Sequence, residues 1–162
     1  MINESLHPSE GCLALIRESE GFEPYPYLCP AGVPTIGYGS TRYEDGRPVQ
    51  LNDPPITKDR ADSIMLVTLV EYAATVRRYV QVPLAQCQFD ALVDFAYNVG
   101  AKALLQSTLL RLLNIGDYVG ASKQFERWVY GAGMKLPGLV KRREMERLLF
   151  IGGCQTIVNN HG

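Results

Sequence analysis

The chain has 162 residues, is 46% apolar and 20% charged, and carries a net charge of −1. That length suits one domain or two small lobes sharing a core, and the composition is that of a globular protein, not a disordered one. Near-zero net charge gives no overall drive toward nucleic acid or a membrane surface, and no window approaches the length of a membrane span.

In chain order, Pro8-Ser9-Glu10 is a helix start with Ser9 placed to cap, and Cys12 to Ser19 reads as a first helix that delivers Glu20 at its C-terminal end. The longest uncharged apolar run here, Cys12 to Ile16, is too short for a signal segment, and Glu4, Glu10 and Arg17 interrupt the region. The expectation is a chain made as a soluble cytoplasmic protein without stable membrane insertion. From Phe22 to about Leu51, short runs of Pro, Gly, Tyr, Thr and Val with the turn Glu44-Asp45-Gly46 predict a small, irregular antiparallel sheet.

Asn52-Asp53-Pro54-Pro55 is a loop and Thr57 caps the next helix, with Asp59 in the first turn where the helix dipole favours it. Ala61, Met65, Thr68, Leu69, Tyr72, Val76 and Tyr79 recur at intervals of three and four, predicting one long helix from Lys58 to about Tyr79. Gln86 to Val99 reads as the next helix, with Phe89, Leu92, Phe95 and Ala96 inward and Gly100 as its cap. Ala103 to Asn114 and Tyr118 to Val129 read as two more, succeeded by a loop bracketed by Gly131-Ala132-Gly133 and Pro137-Gly138 and a last helix from Leu139 to Phe150. The resulting class is α+β, a small sheet-bearing lobe joined through a long helix to a helical bundle, with a groove between lobes to take a polymer.

Charge is unevenly shared. Residues 1–101 hold 7 Lys and Arg against 13 Asp and Glu, net −6, whereas residues 102–162 hold 9 against 4, net +5. This asymmetry suits either an anionic polymer threaded between lobes or simple attraction of the lobes for each other. Cys12, Cys29, Cys87 and Cys154 form no C-x-x-C pair, so neither a disulfide framework nor a zinc site is indicated, and Cys12 and Cys87 read as core thiols. His7 and His161 lie at the chain ends, which argues against histidine-dependent nucleophilic catalysis and most metal chemistry.

The stretch from Glu20 to Gly39 concentrates the chemistry: a carboxyl at Glu20, a thiol at Cys29 in a Pro-bracketed loop, and a hydroxyl at Thr35 opening Thr35-Ile36-Gly37-Tyr38-Gly39. In that spacing the segment resembles the phage-type lysozymes (endolysins, glycoside hydrolase family 24). Tyr97-Asn98-Val99-Gly100, Ser107-Thr108-Leu109, Trp128 and the run from Leu136-Pro137-Gly138 through Arg142-Arg143 to Glu146 also look like that family, so the resemblance covers nearly the whole chain.

The resemblance implies a single lysozyme-like domain over residues 1–162, with an N-terminal lobe of about 15–56, a connecting helix of about 58–80 and a helical lobe of about 81–155 plus the first helix. It implies an N-acetylmuramidase that cuts the β-1,4 bond between N-acetylmuramic acid and N-acetylglucosamine in peptidoglycan, without cofactor or metal. The chain would act as a monomer, waiting in the host cytoplasm until a separate membrane-permeabilising protein releases it to the periplasm. Glycan strands would be its partner, and nucleic acid would not.

Glycosidic cleavage needs a proton for the leaving oxygen and a nucleophile or charge opposite the anomeric carbon. Glu20 is the proposed acid, and on residue type alone Glu18 and Glu23 are rivals. Cys29 stands where many members carry Asp and others Cys, and three roles are open to it: orienting or deprotonating a water together with Thr35, attacking carbon directly, or none. The first implies inversion and the second retention. The resemblance points to Tyr38, Tyr97, Asn98 and Trp128 as substrate contacts, with Ser107 and Thr108 as weaker candidates, although core packing also explains Trp128 and Tyr97. From Lys141-Arg142-Arg143 it offers Arg142 as a cation that reaches Glu20 or anchors the lobe, against the alternative of solvated surface charge. Two other functions remain open: a lytic transglycosylase, which needs only the Glu, and a non-catalytic glycan-binding protein on the same fold.

Overall fold

Alternation of capped helices with Gly- and Pro-rich turns sets the element order of the computed structural model, which describes residues 2–159, with side chains described as far as Gly152. The side chain of Cys154, and His161 altogether, therefore lie outside the described residues. The order is α1 (Glu10–Glu20), β1 (Glu23–Leu28), β2 (Pro34–Gly37), α2 (Lys58–Tyr79), α3 (Gln86–Val99), α4 (Ala101–Leu105), α5 (Thr108–Asn114), α6 (Tyr118–Gln124), β3 (Tyr130–Gly131), β4 (Met134–Lys135) and α7 (Pro137–Asn159). This is the expected α+β class. Among the described residues no helix is long and apolar enough to cross a membrane.

The chain divides into two compact units, Ile16–Glu71 on one hand and Met1–Leu15 with Tyr72–Gly162 on the other. In the first, β1 and β2 are antiparallel, with Tyr27 opposite Thr35 and Leu28 opposite Pro34. The register slips between Glu23 and Tyr27, where Pro24 and Pro26 lack the N–H that a ladder requires. Beyond β2 only isolated bridges, Ile36 to Ser40 and Arg42 to Pro48, continue the expected sheet. Ile36, Tyr38, Tyr43, Val49 and Ile56 are buried, as are Ala61, Ile64, Met65 and Leu69 of α2. Thr57 caps α2 as expected, its Oγ1 accepting from the Arg60 N–H at 3.2 Å. Tyr79, placed inward by periodicity, is exposed at the end of that helix.

In the second unit α3 is buried on every side from Gln88 to Ala96, so its polar residues must be satisfied inside the protein. Asp90 accepts from the Ser9 amide at 2.9 Å and from the Ser9 hydroxyl, while the Ser9 carbonyl accepts from the N–H groups of Cys12 at 3.0 Å and Leu13 at 3.2 Å, so Ser9 stands at the head of α1. Asp94 receives a forked pair from Arg142 of α7, Nη2 to Oδ1 at 2.8 Å and Nε to Oδ2 at 3.1 Å. Glu146, 0% exposed, lies 3.3 Å from Nε of Arg143 and 4.0 Å from Nε of Arg142. Arg142 and Arg143 are only 4% and 1% exposed, so the reading of this run as solvated surface charge is wrong for both. Cys12 is a core thiol, but its surroundings include Asp90, Asp94, Arg142 and Glu146, and Cys87, in the first turn of α3, is half-buried and not a core thiol.

Three helix boundaries differ from expectation for local reasons. The run from Ala103 to Asn114 breaks at Ser107, whose backbone is extended and whose hydroxyl accepts from Leu110 N–H at 3.1 Å and donates to the Leu104 carbonyl at 2.6 Å, starting a new helix. Tyr118 to Val129 stops being α-helical at Gln124 and becomes a 3-10 turn over Phe125–Arg127, because Phe125 anchors in the core and the chain turns away at Trp128. In place of the expected loop stands the β3–β4 hairpin, and α7 begins at Pro137, whose missing N–H costs nothing at a helix start, and continues past Phe150.

Glu146 is the acid whose environment decides the behaviour of this buried set. Burial first, then its hydrogen bond and charge contact with Asp94, hold it protonated well above the usual carboxylate range, against the pull of Arg143 and Arg142. In its neutral form the acid has a proton to share with Asp94, the neighbour that raises it most after burial. Folding therefore binds a proton here, so this contribution to stability is complete below the ordinary Glu range and declines as pH rises through the raised folded value. Glu146→Gln, which keeps a donor toward Asp94, is expected to unfold within about 1 kcal/mol of wild type at neutral pH and to flatten the alkaline decline, whereas Glu146→Ala should cost about 2–4 kcal/mol. Urea unfolding across pH 5 to 9, a span in which the unfolded chain has already lost most of that proton, measures both.

Candidate active site

Glu20 ends α1, where the Gly21 N–H closes the last turn on the Arg17 carbonyl at 3.0 Å and Gly21 takes φ +69° to start the sheet. Its half-buried carboxyl lies against the backbone of Gly39. A Cβ built on Gly39 would stand 2.9 Å from Glu20 Oε2 and 3.1 Å from its carboxyl carbon, and Gly39 itself has φ +79°. Close approach and backbone conformation both call for glycine there, so Gly39 is a seat for the acid.

Cys29 opens the turn between β1 and β2. Its N–H donates to the Val33 carbonyl at 3.1 Å and its carbonyl accepts from Gly32 at 2.8 Å, with Gly32 at φ +77°. A hydrogen bond from the backbone N–H of Val33 draws the Cys29 pKa below the ordinary thiol value; burial opposes it next, and Ala31, the Thr35 hydroxyl and the N–H of Cys29 itself add to the lowering. Thr35 is buried, and its Oγ1 lies 2.9 Å from the Val33 carbonyl. A hydroxyl has one proton, so Thr35 serves either that carbonyl or the sulfur at a given moment.

Tyr27, absent from the sequence-based candidates, stands directly across from Thr35. Cross-strand partners share a face of the sheet. Its half-buried phenol is pushed above the ordinary tyrosine value by burial first and then by the negative charge of Glu20, Glu23 and Cys29. Tyr38, a proposed sugar contact, is buried with its ring tilted against Phe22 at 5.7 Å.

The remaining candidates belong to the other unit. Tyr97 is half-buried with an edge contact to Tyr72 at 5.7 Å. Asn98, next along α3, accepts from Arg143 through Oδ1. Trp128 is half-buried and packs edge-on against Phe95 at 5.4 Å, so packing and partial exposure are combined in one residue. Arg142 is held by Asp94, an anchoring contact within the helical unit. Ser107 is buried and uses its hydroxyl to join α4 and α5, whereas Thr108 is exposed. Among the described residues no three His, Cys, Asp or Glu side chains gather as a metal site.

The family model for phage lysozymes matches residues 17–146. The endolysin of Acyrthosiphon pisum secondary endosymbiont phage 1 is 39% identical over 149 residues, covering 90% of this chain and 98% of its own. Among solved structures, the endolysin from Escherichia coli O157:H7 phage FAHEc1 aligns with a TM-score of 0.82 at 35% identity, over 91% of this chain and 94% of that one. The muramidase domain of SpmX from Asticaccaulis excentricus aligns at 0.79 and 31% identity, over 90% and 98%.

Two outcomes are expected from the geometry. Gly39→Ala should fold, at a cost of about 1–2 kcal/mol for a side chain at positive φ, yet lose most lytic activity because its methyl displaces the Glu20 carboxyl; a thermal melt paired with a clearing assay separates the two effects. The pH dependence of Cys29 alkylation, tracked by peptide mass spectrometry, should titrate below the ordinary thiol range, and Thr35→Val should move it back up.

Proposed function

This chain belongs to the phage lysozyme family, enzymes that lyse peptidoglycan, and from that premise we propose that it is an endolysin hydrolysing the β-1,4 bond between N-acetylmuramic acid and N-acetylglucosamine. The observation that carries the reading is the seating of the Glu20 carboxyl against Gly39, four residues along from Thr35, whose hydroxyl bonds the Val33 carbonyl in the turn that Cys29 opens. Similarity to the muramidase domain of SpmX supports the choice of bond.

In this mechanism Glu20 gives its proton to the glycosidic oxygen as the bond to the anomeric carbon breaks. A water held by Cys29 and Thr35 adds to that carbon from the opposite face, and its proton passes to the Cys29 thiolate, so configuration inverts. The amides of Ala31 and Val33 favour that thiolate by donating to the sulfur. Tyr38, Tyr97, Asn98 and Trp128 contact the glycan in this reading, and Arg142 supports the helical unit through Asp94. The enzyme acts without a cofactor, as a monomer, on glycan strands in the periplasm, after a separate membrane-permeabilising protein frees it from the host cytoplasm.

Clearing of outer-membrane-permeabilised Gram-negative cells tests the assignment. Glu20→Gln should be inactive, Cys29→Ala strongly impaired and Cys29→Asp active, and each cut should add one water to the muropeptides by mass spectrometry. Products with 1,6-anhydro ends would assign a transglycosylase instead, and full activity in Cys29→Ala would remove the thiol from the mechanism. Binding of glycan without clearing by the wild type would leave a binding protein.

A further inference from the structure

We propose that Arg143 is a positioning residue for Asn98, its guanidinium holding the side-chain oxygen of Asn98 so that the amide meets the glycan strand with its N–H donors. The inference rests on the reading of Asn98 as a substrate contact given above and adds to it the polarity of that contact. Its basis is a hydrogen bond. Nη2 of Arg143, on α7, donates to Oδ1 of Asn98, in the last turn of α3. A guanidinium has only donors, so the oxygen of the amide faces it and the nitrogen faces the other way.

Arg143 is itself clamped. It is buried, its guanidinium carbon lies 5.1 Å from the centre of the Phe95 ring, and its Nε lies 3.3 Å from Oε2 of Glu146. Phe95 and Asn98 are three residues apart on α3 and share a side of that helix, so one guanidinium stacks on the first and reaches the second. Among the described residues, Nε and Nη1 are buried without a hydrogen bond, and Nη2 gives its bond to Asn98. Burying a cation with donors unused costs stability, and such costs are kept where function uses the group. Asn98, by contrast, is half-buried, and its Nδ2 donates to no protein group among the described residues. Held at its oxygen and open at its nitrogen, the amide is a preset donor.

That polarity selects the group it binds. N–H donors at this point take an acceptor oxygen of the strand, a hydroxyl or an amide carbonyl. Without Arg143 the amide is free to turn half-way round, since its two ends have nearly the same shape, and it then meets that acceptor with an oxygen for part of the time. No bond is made or broken in this step. Arg143 therefore acts on binding, through Asn98, and not on proton transfer from Glu20, so its loss shows in KM.

The test uses soluble fragments of peptidoglycan strands, with each variant checked as folded by urea unfolding. Asn98→Asp keeps an acceptor for Arg143 and the shape of the side chain but has no N–H, and should raise KM about five- to fiftyfold with a smaller change in kcat. Arg143→Met keeps a long stem without donors; it should raise KM about two- to tenfold in the native background and leave it unmoved in an Asn98→Ala background, because it acts through that residue. Wild-type KM in Asn98→Asp, a loss confined to kcat, or an equal effect of Arg143→Met with and without Asn98 would each overturn the proposal. If Arg143→Met does not fold, Asn98→Asp decides it alone. Wild-type turnover keeps the two readings apart. If the wild type cleaves the fragments while Asn98→Asp leaves KM unmoved, only this assignment falls; if the wild type binds the fragments without cleaving them, the hydrolase reading falls and calorimetric Kd values of the same variants decide the role of Arg143. Fragments that the wild type does not bind remove both.

Discussion

The constraint on which the helical unit depends is the burial of α3 on all sides. A helix with no solvent face has nowhere to put a charge, yet this one carries Asp90 and Asp94 at 2% and 0% exposure. Each is tolerable only because another part of the chain brings donors to it, Ser9 to the first and the Arg142 fork to the second. These contacts tie the N-terminal residues and α7 to the centre of the unit with directional bonds, where apolar packing alone would allow sliding. Asn98 and Trp128 take their settings from the same core, through Arg143 and Phe95.

The sheet-bearing unit works differently. There, backbone geometry does most of the placing: Gly21 turns the chain out of α1, Gly39 lets the backbone lie against the Glu20 carboxyl, and the Cys29 to Gly32 turn points its amides at sulfur. Few long side chains have to be ordered, which keeps the entropic cost of presenting a carboxyl, a thiol and a hydroxyl together small. Arg17 and Asp62, 2.9 Å apart and both partly exposed, add a surface tie between α1 and α2 worth under about 1 kcal/mol.

Much of the fold was legible because its signals are local. Periodicity placed α2 and α3 with their observed ends, and Thr57 and Gly100 marked boundaries that the backbone honours. The break at Ser107 was hidden because leucines continue at helical spacing on both sides of it, and only the doubly used hydroxyl reveals the interruption. The burial of Arg142 was equally hidden, since the acid that makes it possible lies 48 residues away. Within the candidate site, the spacing of Glu20, Cys29 and Thr35 shows that the three succeed one another on consecutive elements. It does not show the amides behind the sulfur, nor Tyr27, whose place opposite Thr35 depends on a register that two prolines disturb.

Those prolines also bear on association between copies. A two-stranded sheet has open edges, and an open edge is a template on which another chain can add a strand. In β1, two of the six residues of Glu-Pro-Tyr-Pro-Tyr-Leu have no N–H to offer, and the Pro24 carbonyl is already taken by Ile56 at 3.0 Å. The edge is thereby unsuited to strand addition, and the irregularity that precedes Tyr27 also guards the protein against edge-to-edge aggregation.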